Sequence, residues 1–531
     1  MWWLAVAYFV VQTLTVAYLM AMSVHQLWLT LQYRRHRGPD PEPSGRWRDD
    51  ELPFVTVQLP VYNEGRLGEQ VLGHAAALDY PRDRLEIQFL DDSTDGVSSE
   101  IALAKIEALR AEQPDLDVAY LRRTNRHHYK AGSLASGCAV AKGEFLAVFD
   151  ADFEIPSDFL RRTVHHFRDP EVGMVQARWA YHNRFASFFT RLQAEKLDAH
   201  QMFDQTARMK VGLLPFFHGT AGLWRAKTIE DAGGWVGTCE SEDVWLTIQA
   251  SVRGWRFVYL DHLRVRSELP EDMLSFMVQR MRWKRGWTQI ASALSGKMMG
   301  ARSVSAWHRV DLLMRAHTTW GHVVALVMTL GVLPYFLAAA WLRLVVPAAL
   351  LYLSLMALNL VMRAVEGRTL AEDAATPRSP KLLRWPLSWV PLGYLLDVGM
   401  AWAMTQATFE SFRSGGQWPV TPKKGSGVAA EKRPRKKLPR WVVGTIGMGV
   451  ASLALGGVSL WVLHPLAAAF YVAQSAGSLW VGMACWRDLR ALNRPGGVEG
   501  AEREGVEDRG GPADASGGLR PGLAAASASG V

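Results

Sequence analysis

The chain has 531 residues and a formal charge of +8; 49% of its residues are hydrophobic and only 21% are charged. That length exceeds one ordinary core, and that apolar share excludes a disordered chain, so water-exposed and lipid-embedded parts are expected side by side. Cys138, Cys239 and Cys485 lie too far apart for a zinc motif or a disulfide framework, and the basic residues cluster beside apolar segments, where they set membrane orientation and argue against a nucleic-acid partner.

Residues 1–32 open with about 30 positions free of Lys, Arg, Asp and Glu, and "YRRHR" follows at once. A bilayer core takes roughly 20 residues, and no positive leader or A-x-A site is present, so the segment reads as a transmembrane anchor. Positive flanks stay inside, so the N-terminus is expected outside and the residues from Tyr33 onward in the cytosol, at an inner or plasma membrane.

Within residues 50–290 the short apolar strands "FVTVQLP", "LEIQFLDD", "LDVAYLRR", "EFLAVFDAD" and "VGMVQARW" alternate with helical stretches such as "SSEIALAKIEALRAEQ". The alternation predicts an α/β sheet with helices on both faces, whose ligands bind beyond the carboxyl ends of the strands. Further on come a transmembrane hairpin at 318–363 and a second at 441–486. Between them, 385–440 holds an apolar helix. Placing it in the interface keeps both flanking basic stretches, 377–384 and 432–440, on the cytosolic side. Five spans plus this helix are predicted, with six spans as the alternative. Residues 494–531 read as a disordered tail.

Four acidic stretches stand where ligands bind. "LPVYNE" (59–64) follows the first strand and on its own reads as a turn; "FLDDSTDG" (89–96) puts Asp91 and Asp92 at a strand end, where helix capping by Asp92 or Ser93 is the plainer reading. Asp150 and Asp152 follow "FLAVF", and a turn there brings two hard oxygen ligands toward one cation; Mg²⁺ is usually held by one or two carboxylates plus substrate phosphates. Glu242 and Asp243 open an amphipathic stretch near a helix N-terminus, where the dipole favours the ionised form of a general base or of a capping pair. "QRMRWKRGW" (279–287) mixes cations and indoles before the first later span, and alone it reads as a membrane-surface collar.

Their order, DD, DxD, SED, QxxRW, then membrane spans, resembles the membrane-bound inverting glycosyltransferases of family 2, the group of the cellulose, chitin and hyaluronan synthases. "HYKAGSL" (128–134) resembles the family's KAG segment, and "WPVTPKKG" (418–425) its FxVTxKG gating loop with Trp418 in place of Phe. "FDADFEIP", "QARWAYHN" and "FHGTAGLWR" resemble the plant glucomannan mannosyltransferase and xyloglucan-backbone glucan synthase-like branch most. Ser241 stands where Thr is usual, and the single N-terminal span is shorter than the bacterial cellulose synthase arrangement.

The resemblance implies a GT-A-like catalytic domain. Leu59, Pro60, Tyr62, Glu64, Asp91 and Asp92 would frame the donor base and ribose, Lys130 and Asp150 would meet the nucleotide, and Asp150 with Asp152 would hold Mg²⁺ or Mn²⁺. Gln279 and Arg282 would face the diphosphate, and Trp283, His218, Gly219 and Thr220 the acceptor, with Asp243 beside Glu242 as base. Val420, Thr421 and Lys423 belong to the gating-like loop. The implied reaction moves a hexose from UDP-glucose or GDP-mannose to a β-linked polysaccharide. Transfer of one sugar to a glycolipid acceptor, as in ceramide glucosyltransferases, and a non-catalytic membrane scaffold are the alternatives.

Overall fold

The computed structural model describes residues 2–300, 305–372, 389–413, 437–462 and 464–493. The gating-like loop, the tail and most of both basic stretches around residue 400 lie outside them.

Seven strands form one sheet: β1 (Val55–Val61), β2 (Leu85–Asp91), β3 (Asp117–Arg122), β4 (Phe145–Val148), β5 (Val172–Tyr181), β6 (Gly222–Arg225) and β7 (Arg256–Ser267), in the order β3-β2-β1-β4-β6-β5-β7. β1 pairs in parallel with β2 and β4, β2 with β3, and β5 with β7. The five predicted strands are all present. β6 and β7 are additional, and β6 runs antiparallel to both β4 and β5. At four residues, "GLWR" is too short to show a period of its own. Its reversal carries the preceding "HGTA" turn back over the carboxyl end of β4, where Ala221 N–H donates to Val148 O at 2.8 Å.

β2 and β4 are buried along their whole length, as strands covered on both faces must be. Val57, Leu59, Ile87, Phe89, Phe145 and Ala147 fill one core cluster of the sheet. On the capping question, Asp95 accepts from Ser98 N–H at 3.0 Å and Ser98 Oγ at 2.7 Å as the helix Val97–Glu112 begins. That local bond leaves Asp91 and Asp92 for other partners.

Among the described residues five helices are long and apolar enough to cross a membrane: Trp2–His36, Ala306–Trp341, Val345–Leu370, Arg440–Trp461 and Pro465–Leu492. Helix Trp389–Glu410 packs against the last two and against Gly321–Trp341. Its Leu396, Met400, Ala403 and Met404 share a core with Met273, Met277 and Met281 of helix Met273–Gly300, which carries residues 279–287 between the sheet domain and the bundle. Ion pairs, one of them buried, join the two parts. Arg208 of the domain pairs with Asp311, which also meets His25 of the first helix at 3.2 Å, and Lys196 pairs with Asp397.

Candidate active site

The carboxyl ends of β1, β2 and β4 open onto a cavity of about 220 Å³. Of the residues singled out in the sequence, Pro60, Tyr62, Glu64, Asp92, Lys130, Asp150, Asp152, His218, Gly219, Glu242, Asp243, Gln279, Arg282 and Trp283 line it. Three do not. Leu59 is buried in the sheet. Thr220 lies behind the wall and accepts from Asp150 N–H at 2.9 Å, fixing the turn that carries the DxD pair. The Asp91 carboxylate faces inward, accepting from Ser93 N–H at 2.8 Å, Ser99 Oγ at 2.5 Å and Tyr120 Oη at 2.6 Å. Burial alone would raise its pKa, but these bonds outweigh burial and hold it below the usual carboxylate value. Asp91 thus braces the loop, while its neighbour Asp92 reaches the cavity wall and is clamped by both Nε and Nη2 of Arg123.

Lys130, the second residue of the helix Tyr129–Cys138, bridges the two halves of the site. Its Nζ pairs with Asp150 and donates to the Gly219 carbonyl at 2.8 Å. Gly219 adopts φ +86°, and a Cβ there would lie 3.2 Å from Asp243 Oδ2 and 3.6 Å from Lys130 Nζ. Only a residue without a side chain fits in that turn. The DxD turn, the KAG lysine, the "HGT" turn and the SED aspartate therefore converge within a few ångströms.

The SED segment is pinned to the QxxRW helix by residues the sequence reading did not single out. Arg285 donates to both carboxylate oxygens of Glu240 at 2.8 and 2.9 Å, and Gln289 Oε1 accepts from Glu240 N–H at 2.9 Å. A Cβ on Gly286 would stand 2.1 Å from Ser241 Oγ, so the close seating of helix on loop requires glycine there. "RG" at 285–286 after QxxRW was the available signal, but nothing local ties it to Glu240, 45 positions earlier.

This geometry accompanies a clear kinship. The model for "Glycosyltransferase like family 2" matches residues 53–286. Glucomannan 4-beta-mannosyltransferase 2 of Arabidopsis thaliana is 32% identical over 412 residues, 74% of this chain and 73% of the relative. The chain belongs to the cellulose synthase-like branch of the family 2 glycosyltransferases. Glucomannan 4-beta-mannosyltransferase 1 of Cyamopsis tetragonoloba is 31% identical over 73% of this chain and 72% of its own. Among solved structures, the mannosyltransferase PcManGT from Pyrobaculum calidifontis in complex with GDP-Man and Mn²⁺ superposes with a TM-score of 0.47 at 22% identity, over 73% of this chain and 98% of that one.

The charges of the transferase's site are tuned by burial. Burial and the adjacent Glu242 push the Asp243 carboxyl up to about 7, and burial also raises Glu242. An acid near 7 suits a group that must accept a proton at neutral pH. Burial, then His200 and Arg315, hold His218 well below its ordinary value, so it stays a neutral imidazole and accepts from Gln201 Nε2 at 3.4 Å. Among the described residues no cluster of three or more His, Cys, Asp or Glu gathers. Asp150 and Asp152 both line the cavity, and carboxylate oxygens are the donor type that suits Mg²⁺ or Mn²⁺ shared with substrate phosphates.

A second cavity of about 470 Å³ adjoins the first, with Trp179, Leu197, His218, Ser241, Asp243 and Trp283 common to both. It runs from Asp243 toward the bundle, past Trp287, Lys284, Arg315, His322 and Asp397. Lys284 Nζ lies 3.3 Å from His322 Nδ1, and burial pushes its ammonium down to about 7. His200 and Gln201 reach this cavity from a π-helical turn, His200–Thr206, that interrupts the helix begun at Phe188. Such turns favour functional sites, and no periodicity in "HQMFDQT" signals one.

Proposed function

We propose that the chain transfers mannose from GDP-mannose to a growing β-linked mannan in one inverting displacement. UDP-glucose with a β-glucan product is the competing pair. The kinship with glucomannan 4-beta-mannosyltransferases over about three quarters of the chain supports the sugar. The observation that carries the chemistry is the contact series from Asp150 through Lys130 and Gly219 to Asp243.

In this reading the acceptor hydroxyl, held on the Trp283 side, attacks the anomeric carbon. The new C–O bond forms as the bond to the diphosphate oxygen breaks, and the hydroxyl proton passes to Asp243. Asp150 and Asp152 would hold Mg²⁺ or Mn²⁺, which would supply positive charge against the departing diphosphate. Arg282, Gln279 and Lys130 add fixed charge and hydrogen bonds on the same side. The second cavity takes the acceptor. Indole faces suit sugar rings, and the charged groups along its wall suit hydroxyl-rich chains better than a lipid tail, which favours a polysaccharide over a glycolipid. The domain faces the cytosol, and the N-terminus lies outside.

The test offers detergent-purified protein radiolabelled GDP-mannose or UDP-glucose with Mg²⁺ or Mn²⁺ and digests the product with linkage-specific glycanases. A long product cut by β-mannanase is expected. A product cut only by β-glucanase, or a single sugar on lipid, overturns the reading.

A further inference from the structure

Across the sheet, the strands meeting the cavity run β3, β2, β1, β4. Asp150 follows β4, so a nucleoside attached to the diphosphate extends toward β1, β2 and β3. Three residues meet at that end: Tyr62 after β1, and Arg126 and Tyr129 after β3, all on the cavity wall. The Arg126 guanidinium carbon stands 3.2 Å over the Tyr62 ring centroid and 5.4 Å from that of Tyr129. Its Nε is buried and has no hydrogen-bond partner among the described residues. The nearby carboxylate, Asp92, is already engaged by Arg123.

The turn that presents Arg126 is rigid. Arg123 Nη1 donates to His127 O and Nη2 to Tyr129 O, each at 2.9 Å, while the same guanidinium holds Asp92. His128 and Tyr129 sit at φ +61° and +47°, a strained pair for residues with side chains, and such strain concentrates at ligand clamps. On the other side, Asn63 Oδ1 accepts from Thr94 N–H at 2.8 Å and Tyr62 Oη lies 3.4 Å from Thr94 Oγ1, so the stacking partner is fixed as well.

A stacked guanidinium keeps its N–H edge open, and that edge matches two adjacent acceptors in one plane. Guanine offers such a pair in O6 and N7. Uracil offers O4 beside an N3–H donor and a C5–H, and adenine replaces O6 with a donor. We propose that Arg126, stacked on Tyr62, reads the O6/N7 edge of the donor's guanine and thereby selects a guanosine over a uridine diphosphate sugar. This rests on the GDP-mannose reading above and names the residue that would enforce it.

The test measures dissociation constants of GDP, UDP and 7-deaza-GDP for the detergent-solubilised full chain and for Arg126→Ala and Arg126→Lys. A good bidentate pair discriminates by roughly 1–3 kcal/mol, or about 10- to 100-fold. Wild type is expected to bind GDP tighter than UDP by that factor and to lose most of it with 7-deaza-GDP. Both variants should weaken for GDP about 10- to 100-fold, become indifferent to the N7 atom, and change by less than about threefold for UDP, which also reports that they are folded. If wild type prefers GDP and the variants keep that preference, Arg126 is not the reader although the donor reading stands. If wild type prefers UDP, both fall.

Discussion

The donor end and the acceptor end of the site are built in different ways. At the donor end the carboxylates of Asp91 and Asp92 find their partners within the sheet domain itself. Asp91 is satisfied by Ser93, Ser99 and Tyr120, and Asp92 by Arg123. The second cavity is walled by Lys196 with Asp397 and Lys284 with His322, pairs from different segments, and the buried pair of Arg208 with Asp311 outside it holds the bundle to the domain. The sheet domain and helix Met273–Gly300 complete the first, whereas the second is walled in part by the docked helix bundle, through His322, Asp397, Met400 and Met404. Variants should therefore separate donor binding from acceptor binding, and Asp243, at the junction of the two cavities, should show its effect in turnover.

The largest effect is expected at that junction. Asp243→Asn should lower turnover by about 10²–10⁴-fold, the usual worth of a general base, while GDP affinity holds within a few-fold. Wild-type turnover should rise with pH through about 7, because the group must be ionised to accept a proton. The stability effect has the opposite sign. A carboxyl whose folded pKa is raised destabilises the fold progressively as pH climbs from its unfolded value toward the folded one. Asp243→Asn should then melt higher than wild type at pH 8, with the gain shrinking toward pH 4. A variant that is both active and no more stable at pH 8 removes Asp243 from the role.

Arg208→Met probes the acceptor side. Arg208 and Asp311 are both almost wholly buried, 2% and 1% exposed. Removing one member of such a pair costs about 3–5 kcal/mol, because the other charge is left in low dielectric. The melting temperature in detergent should fall sharply, and replacing both residues, Arg208→Met with Asp311→Leu, should recover much of it. GDP binding below the melting point should not change. If the single variant loses GDP binding while still folded, the two ends are not built independently.

This contrast also explains what the sequence disclosed. The fold class, five of the seven strands and the strand-end carboxylates were legible because each rests on local pattern: an apolar run, a turn, a charge at its end. Arg126 was not, since "RRTNRHHYK" holds several cations and nothing in the run says which one stacks on Tyr62, 64 positions earlier. The clamp of Arg285 on Glu240 and the π-helical turn at His200 stayed hidden for the same reason: they are products of packing between segments. Asp91 shows the converse. The DD motif stands at the end of its strand as expected, yet only the Ser99 and Tyr120 contacts reveal that one of its members faces the sheet and not the cavity.

A smaller effect is expected from Lys284→Met. The side chain stands in the second cavity beside His322, away from the donor wall. Losing its hydrogen bonds to an acceptor chain, each worth about 1 kcal/mol, should raise the KM for a manno-oligosaccharide roughly 3- to 10-fold and leave the dissociation constant of GDP unchanged. An equal loss for both ligands would mean that the two cavities act as one.

The smallest effect, and the most local, belongs to Tyr120→Phe. Tyr120 Oη gives Asp91 one of its three hydrogen bonds, at 2.6 Å. A bond to a charged group contributes about 1.5–3 kcal/mol, but Tyr120 is only partly buried, so the low end of that range or less applies. The pH dependence identifies the cause. Because the Asp91 pKa is lowered in the fold, its hydrogen bonds contribute stability that is fully present above the unfolded value and is lost as pH falls through the folded one. The melting-temperature gap between Tyr120→Phe and wild type should be widest at neutral pH and close in strong acid, where the carboxylate is protonated in both. A gap that is the same at every pH would mean that Tyr120 contributes through its ring packing on Phe89, leaving the charge on Asp91 braced by Ser93 and Ser99 alone.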